Sequence, residues 1–317
     1  MNYESSVMNS ALINGDLEAL RRVPKADLHN HFVLGGSRRY LRECTGKEIN
    51  PITRPLSSMD EMHAWNAQNI GDYFNSSEGR RMLINAAFEQ VKEDGVTILE
   101  IGEDVWGLGE FFHGNIDELV NAFETSHKEI APEIELRLQI GMSRHCDIDY
   151  LEDCLSHFWG CKAFYSIDLY GDELAQPIEN FKSIYRRAKA EGLRLKAHVG
   201  EWGTAEDVRR AVEILELDEI QHGIAAADDP SVIQFLVDNH IRLNITPSSN
   251  FLLGRVKELK SHPIAKLYRS GVDVTINSDD VLIFDSDVSK EYMRLYQCGC
   301  LTAEELNDIR KNGLKTI

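Results

Sequence analysis

The stretch LRLKAHVGEWGTAEDVRRAVEILELDEIQHG, residues 193–223, decides the fold. Its first six residues alternate apolar and polar and end on His198, the pattern of a short strand. Thr204 stands where an N-cap belongs, and TAEDVRRAVEILE carries apolar residues at three- and four-residue spacing, which predicts an amphipathic helix. A second strand, residues 219–222, ends on His222; Gly223 follows, and its missing Cβ lets backbone or ligand approach closely.

The same alternation of strand and helix extends in both directions. Strand-type segments fall at residues 26–31, 96–101, 134–140, 164–169, 193–198, 219–222, 241–245 and 272–276, with amphipathic stretches between them such as residues 80–95, 116–130 and 177–192. Pro177 is placed to open a helix as an N1 residue, and Gly95 and Gly192 to close two. Eight such repeats predict an α/β fold, the (β/α)8 TIM barrel, and 317 residues are an ordinary length for a single domain, 1–317, of that kind. One connection is out of proportion. About sixty-five residues separate His31 from Val96, against the few usual in such units, so residues 32–95 read as a lid-like helical insertion after strand 1. Its Trp65, Tyr73 and Phe74 serve either to close an apolar pocket or to pin the insertion to the barrel.

The formal net charge of -18 argues against nucleic acid or an anionic membrane as partner, because both require a basic face, and it favours a small molecule. Six cysteines without a CxxC pair, and an N-terminus without an apolar leader, predict free thiols and a cytoplasmic location. No stretch approaches the roughly 18 apolar residues of a membrane span.

Chemistry-bearing residues gather at four strand ends: His29 with His31, His198 with Glu201, His222, and Asp279 with Asp280. In a barrel the C-terminal rim of the strands holds the active site, so residues remote in sequence meet there. Alternation aims both imidazoles of HNH at one point and turns Asn30 away. In DVTINSDD it puts Asp273, Thr275, Asn277 and Asp279 on one face, with Asp280 free to turn into the same cavity. Any one of these groups is weak: a lone histidine is more often structural, and paired aspartates more often cap a turn. Their coincidence on separate strand ends is what carries weight, and three histidines with one aspartate make a plausible zinc set.

KADLHNH (25–31), IDLYGDE (167–173), KAHVGE (196–201), IQHG (220–223), ITPSSN (245–250) and INSDDVLIF (276–284) follow one another over nearly the whole chain in an order that resembles the adenosine deaminase family, barrel enzymes of the amidohydrolase type. The resemblance implies metal ligands His29, His31, His198 and Asp279, with His31 also near the substrate. It further implies Glu201 as proton donor, His222 as base or electrostatic stabiliser, and purine contacts from Asp280 and the backbone of Gly171. Binuclear relatives carry a bridging lysine on strand 4. SIDLYGDE has none, which implies one metal, zinc by default. Such an ion lowers the pKa of its water from 15.7 toward about 7.

Where the family has an acidic residue two places after the second histidine, to bind a ribose hydroxyl, HNHFVLGGS has Val33. That loss weakens nucleoside binding by about 1.5 to 3 kcal/mol, and Gly35, Gly36 and Ser37 leave room for another pocket shape. Trp106, Phe111 and Phe112 either line that pocket or pack the loop, and Arg144 stands near the rim, where it could meet an anionic substituent. The first functional reading is hydrolytic deamination of a 6-aminopurine nucleoside, adenosine to inosine in type. The second is deamination of another aminated heterocycle or free base. A catalytically silent binding barrel is the third.

Overall fold

Eight parallel strands are ordered β1 (Lys25–Asp27), β2 (Val96–Asp104), β3 (Glu135–Ser143), β4 (Phe164–Tyr170), β5 (Arg194–Val199), β6 (Glu219–His222), β7 (Arg242–Ile245) and β8 (Asp273–Ile276), each hydrogen-bonded to the next. The coordinates are a computed structural model in which residues 3–315 are described. Helices run outside the sheet, giving the (β/α)8 architecture. Between β5 and β6 the helix Ala205–Leu215 begins at Thr204, whose hydroxyl accepts from Asp207 N while the Asp207 carboxylate accepts from Thr204 N, a reciprocal cap. Its Val208, Ala211, Val212 and Leu215 are buried against the barrel, the 3.6-residue stripe read from the sequence. Gly95 and Gly192 end their helices at φ of 70° and 84°, a left-handed turn that a side chain would strain. Pro177 differs from expectation: it precedes a short 3-10 turn, Ile178–Phe181, rather than occupying the first turn of the helix.

The first strand is shorter than the sequence implies. It stops at Asp27, and the seam between β8 and β1 is closed by side chains. Asp27 accepts from Ser278 N at 3.1 Å, Ser278 Oγ at 2.5 Å and Asn30 Nδ2 at 3.1 Å. Asn277 Oδ1 accepts from Leu28 N at 2.8 Å, and one backbone bond, Asp279 N to His29 O at 2.9 Å, completes it. The Asp27 and Asn277 side chains thus satisfy the backbone donors of Ser278 and Leu28 that a longer ladder would have paired. The seam brings the HNH and SDD segments side by side.

Inside the barrel, below the rim, Lys196 on β5 is wholly buried with its Nζ 2.8 Å from Glu100 and 3.0 Å from Glu219. Burial opposes its charge, but the two carboxylates outweigh that and hold its pKa above the ordinary lysine value. Asn244 donates to Glu219 at 2.8 Å, and Thr275 to Asn244 at 2.7 Å. Replacement of the lysine alone would strand two buried acids.

Within residues 32–95 lie the helices Arg38–Thr45, Met59–Asn69 and Ser77–Asp94, the last running along the outside of the barrel. Leu56 N bonds Leu252 O at 2.6 Å and Ile52 N bonds Ile283 O at 3.0 Å, which fixes this segment over the loops that follow β7 and β8. Phe74 is buried, Trp65 donates its indole N–H to Asn50 O at 3.1 Å, and Tyr73 is half exposed. The partners of Trp65 and Tyr73 lie within the segment itself, so these contacts hold its own turns together. Among the described residues no helix is long and apolar enough to cross a membrane, and all six cysteines are free.

Candidate active site

The four residues expected to hold a metal converge. His29 Nε2 lies 3.0 Å and His31 Nε2 3.2 Å from His198 Nε2, while Asp279 Oδ1 is 3.7 Å from His29 Nε2 and 3.5 Å from His31 Nε2. Four donors at bond lengths of about 2.0–2.1 Å around a tetrahedral ion stand about 3.3 Å apart, so the set fits one zinc. Burial holds the pKa of His29 well below its ordinary value and lowers that of His31, which favours the neutral, ligating form of both; at His198 burial is outweighed by the Asp168 charge, which raises the pKa. Asp279 does not reach the cluster by strand alternation. The strand ends at Ile276, and Asp279 enters through a left-handed turn with φ of 61°, an uncommon and strained conformation for a residue with a side chain. Of its presumed face-mates, Thr275 and Asn277 bond each other at 2.9 Å, while Asp273 pairs with Arg242 at 3.0 Å.

Three of the four donors, His198, His29 and Asp279, have a support to which the sequence motifs assign no role. His198 Nδ1 lies 3.3 Å from Asp168, which fixes the ring so that Nε2 faces inward. Asp168 sits on β4, where a binuclear site would need its lysine; the signal was present in IDLYGDE but had no assigned role. His29 Nδ1 is 3.0 Å from Asn244 O, and Thr246 Oγ1 donates to Asp279 Oδ2 at 3.2 Å. Glu173, the last residue of IDLYGDE, accepts from the backbone N–H groups of Gly200 at 2.6 Å, Glu201 at 3.1 Å and Trp202 at 2.8 Å. One carboxylate thereby organises the turn that presents Glu201.

Glu201 is almost wholly buried beside the cluster. Its Oε1 accepts from Asn250 Nδ2 at 2.8 Å, its Oε2 from Trp202 Nε1 at 3.1 Å, and Oε1 stands 3.5 Å from His222 Nδ1. Burial, then the Asp279 charge, push its carboxyl up to about 8, so it holds a proton at neutral pH. A bound cation draws that value down toward neutrality. His222 has φ of 66°, and its ring lies 4.7 Å from that of His29 and 5.2 Å from that of His198. Gly223 is close-packed against Leu243 and Ile220, so it serves the core rather than a ligand. Asp280 is buried, its Oδ1 has no partner among the described residues, and burial with the neighbouring Asp279 and Glu201 charges raises its pKa well above the ordinary value. A buried carboxyl of that kind can donate a hydrogen bond. Gly171 follows Tyr170, whose ring stands 5.1 Å from that of His31, and is exposed at the rim with φ of 87°.

Phe111 and Phe112 are buried in the core and, with Trp106, belong to the packing around Arg80, whose guanidinium lies 4.4 Å from the Phe111 ring and 5.4 Å from that of Trp106. Arg144 borders a cavity of about 410 Å3 lined also by Glu173, Gln176 and Asp207; none of the four converged donors lines it. Arg144 Nε donates to Gln176 O at 3.0 Å. The loop from Phe32 to Ser37 carries no carboxylate; Phe32, Leu34, Gly35, Gly36 and Ser37 are buried and Val33 is partly so. A Cβ on Gly35 would meet Asn30 Oδ1 and one on Gly36 would meet Ala86, so this loop is packed rather than roomy.

The family model for adenosine deaminase matches residues 24–317. A putative adenosine/adenine deaminase of Treponema pallidum is 33% identical over 301 residues, 93% of this chain and 99% of the relative. An adenine deaminase of Acinetobacter baylyi is 28% identical, covering 94% and 93%. Among solved structures, an adenine deaminase from Arthrobacter aurescens superposes with a TM-score of 0.77 at 24% identity over 92% of both chains, and a zinc-bound amidohydrolase from Burkholderia ambifaria with 0.76 at 20% identity over 93% of this chain and 85% of that one. A barrel whose rim gathers three histidines, an aspartate and a protonated glutamate, with the family model running through every strand, belongs to the adenosine deaminase family.

Proposed function

We propose that this enzyme deaminates a 6-aminopurine recognised through its base, with free adenine preferred to adenosine. The family's activity is hydrolytic deamination of aminopurines, in which water replaces the exocyclic amine and ammonia leaves. The observation that carries the narrower reading is the packed loop Phe32–Ser37, which has Val33 at the family's acidic position and offers no carboxylate to a ribose hydroxyl. Arg38, the next polar residue, is engaged by Asp285 at 2.7 Å and by two backbone carbonyls. Nothing in this loop compensates for a sugar.

His29, His31, His198 and Asp279 are the residues that would hold zinc, and the ion supplies Lewis acidity that makes water nucleophilic at neutral pH. The other residues then have distinct tasks. His222 holds and steers the water toward C6. Glu201, carrying its proton, donates to N1 as negative charge develops there. Asp280 in its protonated form bonds N7, and the Gly171 backbone bonds N3, which fixes the ring face presented to C6. The insertion 32–95 would serve as the lid, its Ile52 and Leu56 being bonded to the loops after β8 and β7. The product is the 6-oxopurine. A cytoplasmic location, read from the free thiols, belongs to the same proposal.

The test is ammonia release from adenine and adenosine by protein of measured zinc content. A kcat/KM for adenine at least tenfold above that for adenosine supports the reading, and the reverse order would sink it.

A further inference from the structure

His262, buried in the loop after β7, lies outside every motif that pointed to the site. Its Nδ1 is 3.1 Å from the backbone N of Ile264. That N–H can only donate, so Nδ1 presents its lone pair. Burial pushes the ring pKa down to about 3, and the neutral ring must therefore carry its one proton on Nε2. Nε2 faces Asn250 Oδ1 at 3.3 Å. A donor on that side demands the amide oxygen, which turns the Asn250 NH2 the other way, 2.8 Å from Glu201 Oε1. The same NH2 lies 3.1 Å from His222 Nδ1, which Thr246 Oγ1 also approaches to 3.0 Å.

We propose that His262 and Asn250 are positioning residues that fix the orientation of Glu201: the Asn250 amide at 2.8 Å holds Oε1 as the acceptor, and the transferable proton lies on Oε2, whose other lone pair takes the longer Trp202 indole contact at 3.1 Å. One backbone N–H sets a tautomer, the tautomer sets an amide, and the amide sets a carboxyl. Without this pair the Trp202 N–H on Oε2 would be the remaining donor, and the proton would shift toward Oε1. The inference rests on Glu201 being the proton donor, as proposed above.

The test has one arm that is independent of turnover. In histidine-labelled protein, 15N chemical shifts are expected to show His262 as the Nε2–H tautomer across pH 6 to 8; an Nδ1–H tautomer would overturn the proposal. In the second arm, His262→Leu removes the donor while His262→Gln returns an N–H close to the position of Nε2. With adenine as substrate and zinc content matched, His262→Leu is expected to lower kcat at least tenfold with KM within about threefold, and His262→Gln to recover most of it. A His262→Leu enzyme within twofold of the parent, or equal losses in both variants, would refute the positioning role. If His262→Leu does not fold, Asn250→Asp, which sets a carboxylate against Glu201, takes its place under the same criterion. Failure of the parent to release ammonia from any aminopurine would instead refute the functional reading, with the tautomer still deciding this one.

Discussion

In the proposed mechanism Glu201 donates a proton while Asp168 orients the His198 ring, and substitution separates the two tasks. Glu201→Gln keeps the shape and the Asn250 contact but has no acidic proton, so kcat/KM should fall by about 10²- to 10⁴-fold with zinc content unchanged; steady-state kinetics beside metal analysis checks this. Asp168→Ala leaves Glu201 intact but releases the His198 ring. Here the loss should appear first in metal affinity, about 10- to 100-fold, measured by competition with a chelator. Because Glu201 must be protonated to donate, and burial has raised its pKa, activity should fall on the alkaline side as the pH rises through that value, at or below about 8 with the cation bound. A rate that still climbs above pH 9 would remove Glu201 from the role of acid.

At the scale of elements, the seam and the caps carry the sharpest expectations. Asp27→Ala removes the acceptor of the Ser278 N–H and hydroxyl in the interior, and should destabilise the protein by about 2–4 kcal/mol, read from the denaturant midpoint. Thr204→Ala removes one hydroxyl from an exposed cap and should cost about 1 kcal/mol. The contrast also shows what was legible in sequence. Periodicity and cap chemistry are local, so the strands, the helix after Thr204 and the glycine stops at 95 and 192 were readable. The end of β1 was not, because Asp27 is satisfied by Ser278 and Asn30 only once the ends of the sheet meet. Asp279 illustrates the same limit: its place among the donors was foreseen, but it gets there by a left-handed turn that no alternation rule contains. His262 and Asn250 had no motif-level signal for their pairing at all, since what they do depends on a backbone N–H and an amide orientation. The packed Phe32–Ser37 loop corrects a roomier expectation, which glycine content alone had suggested.

At the scale of the molecule, the barrel is stabilised around buried charge. Lys196→Met would leave Glu100 and Glu219 without their cation and should destabilise by about 3–5 kcal/mol. Glu291 gives a pH signature: burial raises its carboxyl from 4.5 to about 7, while both oxygens accept from Ser248 N. Between those values the folded state holds a proton that the unfolded chain has released, so this contribution to stability is full below pH 4.5 and is lost as the pH rises through 7. Glu291→Gln should flatten the decline in denaturation midpoint between pH 5 and 8. This framework holds one cluster of donors at the rim, where the proposed deamination of an aminopurine would take place. The most direct measurement is release of ammonia, with the oxo-purine identified, by zinc-loaded protein offered adenine, adenosine and their N6-substituted forms, against the same protein stripped of metal. Metal-dependent conversion of adenine to its 6-oxo product, with adenosine slower, is the expected result; no ammonia from any aminopurine by fully loaded enzyme would contradict the account.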